Sequence, residues 1–252
     1  MEKIMSRPPL LQAKDLHISF YGVTAARGAN LEIKEGEFLA IIGPNGSGKT
    51  TFLNLCTGYL KPHSGEVLLD GQPITAMSPR TIVNKGIARA FQIPQFFQNQ
   101  TVLENLMISI SARRGIWSGF TELATKQRQD EAHEILSLVG LDEQASTMAS
   151  ALPEGQRKLL DISLALALKP RLVLLDEPTS GVSTLESYQV METLMDALRK
   201  AQVTALFVEH DMDIVRQFAE RVAVWDAGSV LIEGSPEEVF NDPEVQKKVI
   251  GV

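Results

Sequence analysis

The chain has 252 residues, 44% hydrophobic and 22% charged, with a formal net charge of −7 at pH 7. That is enough apolar material for a substantial core, as one large domain or a domain carrying a subdomain. The acidic balance argues against a surface that coats nucleic acid, though it leaves room for a local basic site.

A single cysteine, Cys56, leaves no internal disulfide to form and suits a reducing compartment. It reads as a small buried apolar residue on a helix. The opening stretch "MEKIMSRPPLLQAKD" has no signal-peptide core, and no apolar run approaches the ~20 residues that span a bilayer.

Taken in chain order, a first strand is expected near residue 10, followed by the aromatic pair Phe20 and Tyr21 in "ISFYG". "EFLAII" (37–42) is a buried strand that feeds a glycine-rich turn, and 50–57 is a helix ending at Gly58. Between about 95 and 150 the texture turns helical. "TVLENLMISISARR" and "DEAHEILSLVG" are two helices, the second with Ala132, Ile135, Leu136 and Val139 on one face, and "RRGIWSGFTE" between them is an exposed loop.

"ALPEGQRKLLDISLALALKP" (151–170) is an amphipathic helix whose Gly155 costs about 1 kcal/mol relative to alanine. "RLVLLD" (171–176), "VTALFV" (203–208) and "RVAVWD" (221–226) are continuous apolar runs of the kind buried on both faces of a parallel sheet. Between 185 and 199, Tyr188, Met191, Met195 and Leu198 form a helical stripe directed to the core. "GSPEEVFNDPEV" carries two helix starts, at Ser235-Pro236 and at Asn241 or Asp242 before Pro243. The sum is an α/β core interrupted by a mostly helical insertion.

"AIIGPNGSGKTTFL" (40–53) holds the pattern G-x-x-x-x-G-K-[ST] between a strand and a helix, the setting that defines a P-loop. Backbone N–H groups must turn inward around a polyphosphate, and glycines permit both the dihedrals and the close approach. Gly43, Pro44, Asn45, Gly46, Ser47, Gly48, Lys49, Thr50 and Thr51 are the expected nucleotide-binding set. Lys49 suits the β- and γ-phosphates, and Thr50 offers Mg²⁺ a hydroxyl.

"RLVLLDEPTSGV" places Asp176 and Glu177 at the C-terminal end of a strand, the edge where α/β sheets bind ligands. Asp176 suits Mg²⁺ and Glu177 suits the deprotonation of an attacking water. A plain chain turn is the competing reading, and the P-loop decides against it. Gln92 in "GIARAFQIP" and His210 in "LFVEHDM" follow apolar runs in the same way and suit Mg²⁺ or the attacking water and the γ-phosphate respectively. A lone Gln or His after a strand is usually a loop residue, so neither stands by itself.

Together these pieces resemble the ATP-binding subunit of ABC transporters over nearly the whole chain. Walker A lies at 43–50, the Q-loop at Gln92, Walker B at 172–176, the base at Glu177 and the switch histidine at His210. The family's Leu-Ser-Gly-Gly-Gln signature corresponds to Leu152, Pro153, Glu154, Gly155 and Gln156, in ungapped register with Asp176. "GIARAFQ", "TVLENL" and the ending from "EHDMDIVRQFAERV" onward are similar to the branched-chain amino-acid uptake group.

The resemblance implies a P-loop ABC-type nucleotide-binding domain with a mixed sheet core. It would be a single domain over 8–252 with a helical subdomain at about 93–160. It implies ATP and Mg²⁺ as ligands, with Asp176, Thr50 and Gln92 at the metal. Phe20, favoured over Tyr21, would stack on the adenine ring, with plain strand packing as the alternative. Leu152, Gly155 and Gln156 would face the nucleotide of a second subunit.

Three residues depart from the family pattern. Pro153 brings neither hydroxyl nor N–H where the family has serine, Glu154 replaces glycine, and Ser183 in "SGVST" stands where many relatives have Asp or Asn. As a hypothesis, this weakened signature builds the poorer of two sites in a heterodimer.

Implied partners are integral membrane permease subunits, a second ATP-binding subunit, identical or different, and a periplasmic or extracellular solute-binding protein. Nucleic acid is not expected. The implied location is peripheral, on the cytoplasmic face of the membrane, with motion passing through Gln92 and Glu104. An export ATPase of the lipopolysaccharide type and a soluble ABC-type switch acting on ribosomes or DNA are the alternatives. A P-loop kinase does not explain the register from Gly155 to Asp176.

Overall fold

A computed structural model describes residues 8–92, 95–114 and 125–250. In chain order it contains β1 (Leu11–Phe20), β2 (Val23–Ile33), β3 (Phe38–Ile42), α1 (Lys49–Cys56), β4 (Ser64–Leu69), β5 (Gln72–Pro73), α2 (Pro79–Asn84) and β6 (Ile87–Ala90). Then come α3 (Val102–Arg113), α4 (Lys126–Leu138), α5 (Glu154–Ala167), β7 (Leu172–Asp176), α6 (Thr184–Lys200), β8 (Thr204–Val208) and α7 (Met212–Phe218). β9 (Arg221–Asp226), β10 (Ser229–Gly234), α8 (Pro236–Phe240) and α9 (Pro243–Val245) complete the order. The loop expected at "RRGIWSGFTE" lies largely outside the described residues, as does the start of the helical stretch at 93.

The chain divides into two compact units, one formed by residues up to 82 together with those from 219 on, the other by 83–218. In the first unit an antiparallel sheet runs in the order β2-β1-β4-β5. A second set of strands pairs β3 with β9 in parallel, Ile41 opposite Ala223, and β9 with β10 antiparallel. Every residue of β3 is buried, as its uninterrupted apolar run requires. α1 leaves β3 through the glycine-rich turn and packs Phe52 against Trp225, ring centroids 4.7 Å apart. The helix has Thr57 as its C-cap, with Gly58 one residue beyond, and Cys56 is buried on it.

In the second unit β6, β7 and β8 are parallel, with β7 between the other two. Both β7 and β8 are fully buried. α3 opens with a capping box between Thr101 and Glu104, so the Glu104 carboxylate is taken up by the Thr101 N–H at 2.8 Å. α4 buries Ala132, Ile135 and Leu136, with Val139 just past its end. On α6 the apolar stripe is Val190, Met191, Leu194, Met195 and Leu198. Tyr188 is a correction to the expected stripe. It is only half-buried, because the polar Ser187 takes the inward position in that turn.

The two expected helix starts near the C-terminus are both present. Ser235 caps α8 in a capping box with Glu238, and Asp242, not Asn241, caps α9.

Candidate functional site

The phosphate cradle lies in the first unit. β3 stops at Ile42, and the turn that follows has positive φ at Gly43 (150°), Gly46 (77°) and Gly48 (109°). Two of these glycines are fixed by crowding as well. A Cβ on Gly43 would stand 2.0 Å from the Trp225 carbonyl oxygen, and one on Gly48 2.1 Å from that of Ala25. Both obstacles are backbone, which cannot swing aside as a side chain does. Gly48 is also the N-cap of α1 and offers no side-chain cap, so the first N–H groups of that helix have no side chain to satisfy them at the cap.

Lys49 folds its Nζ over the turn and donates to the carbonyls of Gly43 (2.8 Å) and Pro44 (2.9 Å). Pro44, Asn45, Gly46 and Thr50 are exposed, and Thr51 is half-buried behind them. The Ser47 hydroxyl is buried without a hydrogen-bond partner. A buried hydroxyl in that state fits a loop that closes on a polar ligand. In the same unit Phe20 ends β1 at 38% exposure, and Tyr21 projects fully into solvent.

The carboxylate cluster lies in the second unit. Asp176 ends β7 with its carboxylate buried, and Arg89 of β6 donates to its Oδ2 at 2.6 Å. Glu177 follows at φ 52°, a left-handed conformation uncommon for a side-chain-bearing residue. Its own N–H is bonded to the Val208 carbonyl at 3.1 Å, which ties the turn to the end of β8. The carboxylate is gripped from two sides. Gln92 Nε2 donates to Oε2 at 2.6 Å, and His210 Nε2 lies 3.0 Å from Oε1.

So the structure brings Gln92, Glu177 and His210 into one hydrogen-bonded set, three residues that stand at three separate places in the sequence. Beneath His210, Glu209 accepts from the Thr179 hydroxyl (2.7 Å) and from the His210 N–H (3.1 Å), while burial pushes its own carboxyl up.

The signature region opens α5. Pro153 is the N-cap and Glu154 the first helical residue, with its charge met by Arg157 at 3.6 Å. Leu152 is buried, and Gln156 is half-buried. A Cβ on Gly155 would lie 2.3 Å from Glu186 Oε1, the end of a side chain that can swing aside. Ser183 serves as the N-cap of α6 and accepts from the Glu186 N–H at 3.4 Å.

Arg89, Lys158, Asp161 and Glu209 have buried side chains next to these groups and belong to no local motif. The one signal available was the placement of Lys158 and Asp161 on the same face of α5 as Ile162 and Ala165.

A family model for the ABC transporter matches residues 26–180. The chain belongs to the ABC transporter family, and it is an ATP-binding cassette, an ATPase. Within the family it is similar to the high-affinity branched-chain amino acid transport ATP-binding protein LivG of Escherichia coli (strain K12). The two are 33% identical over 250 residues, 96% of this chain and 98% of that relative.

Among solved structures it resembles the ADP conformation of an ATP-binding cassette of an ABC transporter. That match has a TM-score of 0.85 and 30% identity and covers 97% of this chain and 99% of the other. It also resembles the dimeric post-hydrolysis state of a cassette bound to ADP and Pi, with a TM-score of 0.75 and 28% identity, covering 90% and 98% of the two chains.

Proposed function

We propose that the chain is the ATP-hydrolysing subunit of an ABC importer of the branched-chain amino-acid type, working as a dimer on membrane-spanning permease subunits. The observation that carries the reading is the grip of Gln92 and His210 on Glu177, found in a chain with an intact P-loop. LivG's transport of branched-chain amino acids supports the cargo class. Among the described residues no helix is long and apolar enough to cross a membrane. Attachment at the cytoplasmic face through the permease, and delivery of cargo by a periplasmic or extracellular binding protein, belong to the same proposal.

The backbone N–H groups of residues 45–51 and the Lys49 ammonium hold the phosphates of ATP. Phe20, with Tyr21 beside it, packs on the adenine ring. Thr50, Asp176 and Gln92 offer a hydroxyl, a carboxylate and an amide, oxygen donors that suit Mg²⁺, which keeps several waters and few carboxylates. When bound, Mg²⁺ neutralises charge on the β- and γ-phosphates.

Glu177 takes the proton of the attacking water. Gln92 and His210 fix the two oxygens of its carboxylate, so that the base points one way before water arrives. His210 also serves the γ-phosphate. Leu152, Gly155 and Gln156 place the start of α5 against the nucleotide of the other subunit. The domain organisation proposed is a single nucleotide-binding domain over 8–252 with a helical subdomain at about 93–160.

The test compares Mg-ATP binding, hydrolysis and solution mass for the wild type, Lys49→Ala and Glu177→Gln. Glu177→Gln is expected to bind ATP, to double in mass with it and to turn over at least about a hundredfold more slowly. Turnover at the wild-type rate would remove Glu177 from its role. Uptake of labelled leucine, isoleucine and valine by cells lacking the protein tests the cargo. Undiminished uptake of all three would refute it.

A further inference from the structure

Gln92 depends on more than its own side chain. The N–H of Phe91 donates to Asp161 Oδ2 at 3.0 Å, and the N–H of Gln95 donates to Oδ1 of the same carboxylate at 2.9 Å. One buried side chain on α5 therefore holds the backbone on both sides of Gln92. Three residues earlier on α5, and so on the same helix face, Lys158 Nζ donates to the Gln92 carbonyl at 2.6 Å and to the Ser180 hydroxyl at 3.1 Å.

Both side chains are almost wholly removed from water, Asp161 at 6% exposure and Lys158 at 4%. Burying two ionisable groups at a helix face is costly unless their bonds are well made. Among the described residues, the side-chain hydrogen bonds they make run to Gln92, its flanks and the turn after Glu177.

We propose that Asp161 and Lys158 are positioning residues for hydrolysis, fixing the backbone around Gln92 so that its side chain holds Glu177. The inference rests on the reading of Glu177 as the base. It makes α5, the helix that begins at the signature, the carrier of that base's geometry. A shift of α5 along its axis moves the backbone of Gln92 through three hydrogen bonds and alters the grip on Glu177. A structural role alone asks only that Asp161 and Lys158 be satisfied. The proposed role asks that their effect pass through Gln92.

Asp161→Asn is the informative substitution. A carboxamide has one oxygen to accept with, and its amino group opposes the second backbone N–H. The expected result is a fall in kcat of about tenfold with the KM for ATP unchanged within about twofold. Asp161→Glu is expected to recover part of the loss.

The decisive comparison is a double-mutant cycle with Gln92→Ala. If Asp161 acts through Gln92, Asp161→Asn has little further effect in the Gln92→Ala background; if its role is structural, the two losses multiply. Multiplying losses would overturn the proposal, as would a folded Asp161→Asn protein with wild-type kcat. Lys158→Met, run through the same cycle, keeps the test open should Asp161→Asn fail to fold. A wild-type protein that does not hydrolyse ATP at all would instead count against the function proposed above, which separates the two failures.

Discussion

Glu177 and His210 stand 33 residues apart in sequence, yet His210 Nε2 lies 3.0 Å from Glu177 Oε1. The contact is made possible by the turn after β7, where Glu177 takes a left-handed backbone and bonds its N–H to the end of β8. His210→Ala frees one oxygen of the carboxylate and leaves the P-loop sequence unchanged. We expect kcat to fall by about a hundredfold and ATP affinity to hold within about threefold, measured by steady-state hydrolysis beside equilibrium nucleotide binding. An equal loss in both would make the γ-phosphate contact, and not the grip on Glu177, the main role of His210.

The P-loop glycines are not equivalent. Gly43 and Gly48 face backbone carbonyls at about contact-breaking range, whereas Gly46 faces open space at φ 77°. Alanine at 43 or 48 should abolish measurable ATP binding and lower stability by about 1–3 kcal/mol. Alanine at 46 meets only the left-handed penalty, about 1 kcal/mol. Calorimetric titration with Mg-ATP distinguishes them, and equal loss at all three positions would contradict the steric account.

Arg89 and Asp176 form a pair with side-chain exposures of 5% and 3%. Removing Arg89 takes a charge-assisted hydrogen bond at 2.6 Å from a buried carboxylate, and breaking a buried pair in this way costs about 3–5 kcal/mol. Urea unfolding of Arg89→Ala should show that loss, with Arg89→Lys in between. A midpoint equal to the wild type would mean that water or another group reaches Asp176.

Burial pushes the carboxyl of Asp161 up to about 6, against two backbone N–H bonds and Lys158 that pull it down. Below about pH 4 the folded and unfolded chains both carry this proton, and the group is neutral toward stability. As pH rises toward 6 the unfolded chain ionises first, so the contribution falls, by something on the order of 3 kcal/mol, and levels off above. Asp161→Asn should flatten that part of the profile, read as the difference in urea midpoint between pH 5 and pH 7. Glu209, also raised by burial, slopes the same way and remains in the variant. A variant profile parallel to the wild type would show that Asp161 ionises normally in the fold.

Pro153 is the N-cap of α5 with ψ 159°, a conformation that serine adopts without strain, and it caps nothing. Pro153→Ser should add about 0.5–1 kcal/mol by satisfying a first-turn N–H. If the hypothesis of a weakened signature holds, it also raises ATPase turnover. Greater stability with unchanged or lower turnover would sink that hypothesis while leaving the capping argument standing.

The P-loop and the Asp176–Glu177 pair were readable in the sequence because their chemistry is packed into short contiguous runs beside apolar strands. Gln92 and His210 were readable only once those anchors were in place, since a polar residue after a strand is ordinary by itself. Arg89, Lys158 and Asp161 were not readable. Arg89 meets Asp176 from 87 residues away, and Lys158 meets Gln92 from 66, distances at which no spacing rule applies.

The β1–β2 hairpin shows a different limit. Its register shifts three times, between Ala13 and Leu16 among other places, and these interruptions erase the strict alternation by which a half-buried strand is recognised. Tyr188 fails for a third reason, because an aromatic at the edge of a stripe fits the periodicity whether or not the core has room for it.

The floor of the P-loop is supplied by Trp225, whose carbonyl stands against Gly43 and whose ring packs on Phe52. During synthesis, therefore, the loop near the N-terminus leaves the ribosome long before the strand that shapes it. A nascent chain stopped at residue 218 already contains the P-loop, Asp176, Glu177 and His210, but has no β9 on which to set the loop. The first unit closes only when its last segment, from residue 219 on, arrives. Quality control that samples incomplete chains would meet a protein with every motif present and no grip on ATP.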